Sequence, residues 1–375
     1  MSDLIRPEIE SLRPYSPGKP IEEVQREYGL TDIIKLASNE NPLGPSPLAL
    51  EAMRKAIEHT RLYPDNDWYH LRRDLAQRLG LPPEQVVVGR GSDEVILWIG
   101  LAFIRPGDRC LMPEGPFSQY EFTTRLMGGE CVMVPMRDYR YDLPEMARRL
   151  DQRAKVVWIG NPCNPTGTIV TMDEVAAFME RVGNGCIVVF DEAYFEYVED
   201  SHYPDTLTML EEGLDNIIIL RTFSKVYSLA GLRIGYGFGP AALIEHLLRV
   251  RAPFNVSSVA MEAARASLRD HNQIERSVKL NREGKEYLYA ELQRLGLAYA
   301  PTQANFVLVD VGRDCRQVFE GLLRQGVIVR TGDIFGLPTH IRVTIGLPEH
   351  NARFIAALEQ ALAAAGASAP SGGGS

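Results

Sequence analysis

The sequence predicts an α/β fold. A large domain carries a mainly parallel sheet sandwiched by helices, and a smaller α+β domain follows it. Two observations carry this expectation. First, short runs that are apolar almost throughout alternate with helical stretches: "QVVVG" (85–89), "DRCLMP" (108–113), "CVMVPM" (131–136), "KVVWIGNP" (155–162), "CIVVFDEAY" (186–194) and "NIIILRTFSK" (216–225). Strands buried on both faces read this way, and intervening helices supply the crossovers that parallel pairing needs. Second, the pattern changes after about residue 250, where a long helical stretch precedes three strand candidates, "NFVLVDV", "GVIVRTG" and "HIRVTIG".

In order along the chain, residues 1–35 form an N-terminal arm with the proline-rich "LRPYSPGKP" and a helical pattern from Ile21. The large domain is expected over 36–250. Its helices fall near 47–58 and 68–78, over "SDEVILWIGLAFI" and "FSQYEFTTRLMG", near 144–150, and over "TMDEVAAFMERV". "RAPFNVSS" reads as a connector and 257–295 as one long helical stretch, with the small domain spanning 251–366. Low complexity at the end, "GASAPSGGGS", predicts a disordered tail over 367–375.

At 375 residues the chain is long enough for two domains and a substantial core. Its apolar share of 45% and charged share of 24% are those of a globular protein in water. A net charge of −9 argues against nucleic-acid or anionic-membrane partners, while leaving room for a local basic pocket. Five cysteines without a CxxC pair point to a reducing compartment and no metal site. No apolar signal core opens the chain and no run is long enough to span a bilayer, so a cytoplasmic location is expected.

The strand ends hold the chemistry, because ligands of open α/β sheets bind there. After "VVVG", Arg90-Gly91-Ser92-Asp93-Glu94 opens a helix whose backbone N–H groups can meet an anion. Glu94 stands where a dinucleotide fingerprint needs glycine, so a single phosphate is the better ligand; Ser92 or Asp93 as a plain N-cap is the alternative. "GNPCNPTG" ends the next core strand with a defined turn from which Asn164 can enter the crevice. Asp191 closes four apolar residues and needs a cationic or donor partner, structural or bound, with Tyr194 three residues on. "TFSKVYSLAGLRIGYG" adds Ser224, Lys225 and Arg233. A lone lysine there reads as a surface charge, whereas a desolvated one has its neutral amine favoured and can form a Schiff base. Together these ends offer an amine, a buried carboxylate, ring-oxygen donors and a phosphate cradle, the set that pyridoxal phosphate requires.

At this point the chain resembles the fold-type-I pyridoxal-phosphate aminotransferases, and within them the histidinol-phosphate aminotransferase family. The resemblance covers about residues 5–363. It rests on "LRPYSPGKP", "KLASNENPLGPSP", "RLYPD", "GRGSDE", "NPCNPTG", "DEAYFEY", "TFSKVYSLAGLRIGY", "ANFVLV" and "HIRVTIG". It implies that Lys225 anchors pyridoxal 5'-phosphate covalently, and that Asp191 pairs with the pyridine nitrogen. Asn164 and Tyr194 would meet the ring oxygen, and Phe117 would stack on the ring where many relatives have tyrosine. Ser224, Arg233 and the backbone of Ser92 and Asp93 would hold the phosphate. Tyr63 would reach that phosphate from the neighbouring subunit of a homodimer. Arg330, Arg342 and Tyr15 would grip the substrate anion, with Asn305 shaping the site near Arg330. Cys163, where asparagine is frequent in relatives, is expected to leave the cofactor unaffected. The implied reaction is transamination between histidinol phosphate and 2-oxoglutarate. The alternatives are an aromatic amino-acid aminotransferase and, further off, a threonine-phosphate decarboxylase.

Overall fold

A computed structural model describes residues 4–10, 12, 14 and 18–367 of the chain. The strands are β1 (Ile34–Lys35), β2 (Val86–Gly89), β3 (Arg109–Pro113), β4 (Glu130–Val134), β5 (Ala154–Gly160), β6 (Ile187–Asp191), β7 (Ile217–Thr222), β8 (Gly235–Phe238), β9 (Ala298–Ala300), β10 (Phe306–Asp310), β11 (Val327–Ile328), β12 (Arg330–Thr331) and β13 (His340–Thr344). The helices before residue 250 are α1 (Pro7–Glu10), α2 (Ile21–Tyr28), α3 (Pro47–Ile57), α4 (Tyr69–Leu79), α5 (Ser92–Phe103), α6 (Ser118–Leu126), α7 (Leu143–Arg148), α8 (Met172–Met179), α9 (Thr206–Glu211) and α10 (Ala241–Val250). After it come α11 (Ser258–Leu268), α12 (His271–Arg294), α13 (Cys315–Leu323) and α14 (Pro348–Ala367).

The large sheet has the order β2-β8-β7-β6-β5-β3-β4. Pairing is parallel from β7 across to β4, and β8 runs antiparallel to both β2 and β7. Its central strands are buried on both faces, as their unbroken apolar runs require. The register aligns Gly160 with Asp191 and Asp191 with Leu220, so the ends of β5, β6 and β7 lie side by side.

β8 is the strand that the apolar runs did not mark. Its sequence, "GYGF", is half glycine, and glycine is depleted in strands. The reason for glycine is steric: a Cβ on Gly235 would lie 2.5 Å from the backbone nitrogen of Ser92. The strand therefore passes directly beneath the first turn of α5.

The helical stretch expected over 257–295 is two helices. Asp270 ends one and caps the next, its side chain accepting from the Gln273 backbone N–H (3.2 Å). The packing does not change hands at residue 250 either. α11 lies against α3, and its buried Ala260, Met261, Ala263 and Ala264 join the large core. A second core is built around Val307, Val309, Ile341, Val343, Phe354 and Leu358, and takes in Ile34 and Leu36. "GVIVRTG" contributes to two sheets: β11 pairs in parallel with β1, whereas β12 edges the antiparallel sheet β12-β13-β10-β9. α14 runs through Ala367, and the remainder of the expected tail, 368–375, lies outside the described residues. Among the described residues no helix is long and apolar enough to cross a membrane.

Candidate active site

A cleft of about 1150 Å³ opens at the edge where β2, β5, β6 and β7 end, and the small domain forms its other wall. Lys225 lies half-buried in it, three residues past β7. The turn that brings it there is tied by Thr222, whose hydroxyl donates to Ser224 Oγ (2.9 Å) and accepts from the Ser224 N–H (3.0 Å). Lys225 Nζ donates to the Ser38 carbonyl (3.2 Å) and lies 5.6 Å from the centre of the Tyr194 ring. Burial, reinforced by the Arg342 guanidinium, lowers its pKa from the ordinary 10.5 to about 8.

Asp191 is the last residue of β6 and is buried. Its Oδ2 accepts from the Tyr120 hydroxyl (2.8 Å), while its Oδ1 has no hydrogen-bond partner. Burial pushes the carboxyl up to about 6, against the opposing pull of the Tyr120 bond. An orphaned carboxylate oxygen in the wall of a cleft calls for a donor or a cation from a ligand. Tyr194, whose hydroxyl accepts from Asn39 Nδ2 (2.9 Å), is raised by burial to about 12 and stays protonated. Asn164 Oδ1 accepts from Arg342 Nη1. Phe117 precedes α6 and lines the cleft.

The other end of the cleft suits a phosphate. The N-cap of α5 is Gly91, which has no side chain to satisfy the first-turn N–H groups, so the alternative of a Ser92 or Asp93 cap does not hold. Gly91 adopts φ 76 and ψ 169, a conformation essentially reserved for glycine. A Cβ there would lie 2.8 Å from Arg233 Nη2. Arg233 takes a left-handed φ of 54 and reaches across Gly91 to Asp93 Oδ2 (3.0 Å). The Asp93 carboxylate is thus engaged with Arg233, which leaves its backbone for an anion. Amine, orphaned carboxylate and bare helix N-terminus with an arginine fit pyridoxal phosphate.

From the small domain, Arg330 and Arg342 face each other directly across β12 and β13, and both line the cleft. Like charges directly opposite in a sheet repel, and an anion between them relieves the repulsion. Arg342 Nη2 is anchored on the Ala37 carbonyl (2.8 Å), and its guanidinium lies near the Phe306 and Phe335 rings (5.2 and 5.6 Å).

Three expected residues stand apart. Tyr63 does not line the cleft of its own chain; it is 83% exposed and stacks on Phe254 (ring centres 4.8 Å). Asn305 does not line the cleft beside Arg330; its Nδ2 donates to the Asn39 carbonyl (2.9 Å), so it supports the loop that carries Asn39. Tyr15 lies outside the described residues. Cys163 is buried beneath the cleft, its thiol pushed up by that burial.

The sequence reading passed over Asn39, Tyr120 and Tyr141. Asn39, at φ 56, sits inside the quoted "KLASNENPLGPSP" and contacts Tyr194. Tyr141 accepts from the Gly160 N–H (2.9 Å), and a Cβ on Gly160 would crowd the Tyr120 and Tyr141 hydroxyls at 3.1 and 3.3 Å. Only the short distance from Phe117 to Tyr120 in "PFSQY" hinted at Tyr120.

Comparison with known proteins agrees with this geometry. The family profile of aminotransferase class I and II matches residues 31–358. A histidinol-phosphate aminotransferase of Moorella thermoacetica is 50% identical over 358 residues, covering 96% of this chain and 93% of that one. The chain belongs to the histidinol-phosphate aminotransferase family. A second histidinol-phosphate aminotransferase, from Caldicellulosiruptor saccharolyticus, is 46% identical over 359 residues, covering 96% of this chain and all of the relative (100%). Among solved structures, the histidinol-phosphate aminotransferase of Sinorhizobium meliloti in complex with pyridoxal-5'-phosphate superposes with a TM-score of 0.89. It is 28% identical and covers 96% of this chain and 98% of that one. Membership of this family accounts for the fold-type-I arrangement of the two domains and for a cleft at the strand ends between them.

Proposed function

We propose that the chain transfers the amino group of L-histidinol phosphate to 2-oxoglutarate, giving imidazole-acetol phosphate and glutamate, a step of histidine biosynthesis. The cofactor is pyridoxal phosphate. The observation that carries the reading is the convergence on one cleft of a lysine whose pKa is lowered to about 8, a half-satisfied buried carboxylate and two facing arginines. Relatives of that name, 44–50% identical over nearly the whole chain, support the substrate.

When bound, pyridoxal phosphate supplies an aldehyde that condenses with amines and a ring that takes up the electron pair released at the substrate Cα. Lys225 would hold that aldehyde through its amine. Lys225, whose pKa burial lowers, would be the general base for the proton on the substrate Cα. Asp191 would keep the pyridine nitrogen protonated through Oδ1. Asn164 and the Tyr194 hydroxyl would meet the ring oxygen, and Phe117 would cover the ring. Ser224, Arg233 and the backbone of Ser92 and Asp93 would hold the phosphate. Arg330 and Arg342, with Tyr15, clamp the substrate anion, a phosphate monoester in one half-reaction and a carboxylate in the other; guanidinium forks suit both.

The enzyme acts in the cytoplasm as a homodimer in which Tyr63 reaches the cofactor phosphate of the second copy. Its exposed ring and the adjoining Phe254, itself 43% exposed, support this, since together they leave aromatic surface open to a partner. Steady-state kinetics with 2-oxoglutarate and a small panel of donors tests the substrate. Histidinol phosphate is expected to give the highest kcat/KM. Much faster turnover of phenylalanine or tyrosine would overturn the assignment in favour of an aromatic aminotransferase.

A further inference from the structure

Asp191 can serve a cofactor only if its carboxylate stays ionised and one oxygen faces the cleft. Nothing on β6 itself ensures either, because burial alone drives this carboxyl toward its neutral form. The side chains facing it are mostly of the wrong sign or neutral: Asp93 from α5, Glu192 beside it in the chain, and the hydroxyls of Tyr141, Tyr194 and Tyr203; the Ala193 backbone lends a smaller pull toward the ionised form than Tyr120 does. The one side chain that binds it is Tyr120, in the first turn of α6.

Tyr120 is held from three sides. Its ring lies flat on Trp158 of β5, with centres 5.1 Å apart and planes 4° from parallel. Phe117 meets it edge-on, at 5.6 Å and 83°. Its hydroxyl fits against Gly160, where a Cβ would come within 3.1 Å. The ring cannot swing without losing the Trp158 stack, so the hydroxyl has one place to donate, Asp191 Oδ2 at 2.8 Å.

We propose that Tyr120 is the positioning residue of this site, its hydroxyl fixing Asp191 so that Oδ1 is left for the cofactor's ring nitrogen and its own ring bracing Phe117, which would cover the cofactor ring. The proposal rests on the pyridoxal-phosphate reading of the cleft. It assigns Tyr120 no contact with substrate and no proton transfer. One side chain on α6 thereby couples the two groups that hold the cofactor ring, one supplied by β6 and one by the turn before the helix.

The test is equilibrium titration of the cofactor-free protein with pyridoxal phosphate across pH, followed by tryptophan fluorescence. Tyr120→Phe keeps the ring stack and removes only the hydroxyl. Loss of a hydrogen bond to a charged group is expected to weaken cofactor binding about ten- to a hundredfold. The pH below which binding fails should also move up, because Asp191 protonates more readily. The same substitution loses its effect where Asp191 is already disabled: in an Asp191→Asn background, adding Tyr120→Phe should change the dissociation constant by less than about threefold. An unchanged constant and pH midpoint in Tyr120→Phe overturns the proposal, as does full additivity in the double variant. Failure of the wild-type protein to bind pyridoxal phosphate overturns the underlying reading of the site instead.

Discussion

On the proposed function, Lys225 is the residue whose ionisation decides the chemistry. Its pKa is lowered from 10.5 to about 8, so the folded, cofactor-free protein releases this proton before the unfolded chain does. Between about pH 8 and 10.5 the unfolded state therefore binds more protons, and stability rises with pH across that window. Reactivity follows the same midpoint. Labelling of the cofactor-free protein with an amine-directed reagent, read by peptide mass, should rise about tenfold per pH unit and level off near 8 at Lys225. Lysines of unstructured model peptides should keep rising well beyond that. A Lys225 profile that tracks theirs would mean that burial does not tune the amine.

At the scale of elements, β6 and β7 must hold Asp191 and the Lys225 turn at fixed separation. On the side away from the cleft they are joined by a buried ion pair: Arg221 Nε and Nη2 both reach Glu192 Oε2 at 2.8 Å. Thr206 donates to Glu192 Oε1 (2.8 Å), and the Arg221 guanidinium lies 3.6 Å from the centre of the Phe195 ring. Glu192→Ala leaves a buried arginine unpaired and should cost about 3–5 kcal/mol in denaturant unfolding. Replacing both partners, Glu192→Gln with Arg221→Met, should cost less than the single change; equal losses would show that the charges are not coupled. Most of this framework was legible in the sequence, because the strands are buried on both faces and their apolar runs are unbroken. β8 was not, since the demand on it is closeness to the backbone of α5, and that selects glycine over apolar bulk. The break at Asp270 carries a cap that a reading of periodicity alone passes over. In the site, residues inside distinctive turns, Asn164, Ser224, Lys225 and Arg233, could be named from the chain. Tyr120 and Asn39 could not, because their importance lies in contacts with Asp191 and Tyr194, 71 and 155 residues away in sequence.

For the whole molecule, the assignment of Tyr63 requires two chains. Hybrid dimers decide it. Mixing chains carrying Lys225→Ala with chains carrying Tyr63→Ala, each weakly active or inactive alone, creates one site with both residues intact if Tyr63 acts across the interface. Such hybrids should recover about half of the wild-type activity, one working site of two. No recovery would place Tyr63 in its own chain's chemistry, and full activity of Tyr63→Ala alone would place it outside the chemistry altogether. The two facing arginines belong to this scale as well, since the small domain brings them to a cleft whose floor is made by the large one.

The central claim is that Lys225 carries pyridoxal phosphate. Borohydride reduction of the purified protein, followed by proteolysis and mass spectrometry, tests it most directly. The account predicts a single pyridoxyl-modified peptide, containing "TFSKVYSLAGLR", with the modification on Lys225. Modification at another lysine, or a protein that takes up no pyridoxal phosphate on reconstitution, would contradict it.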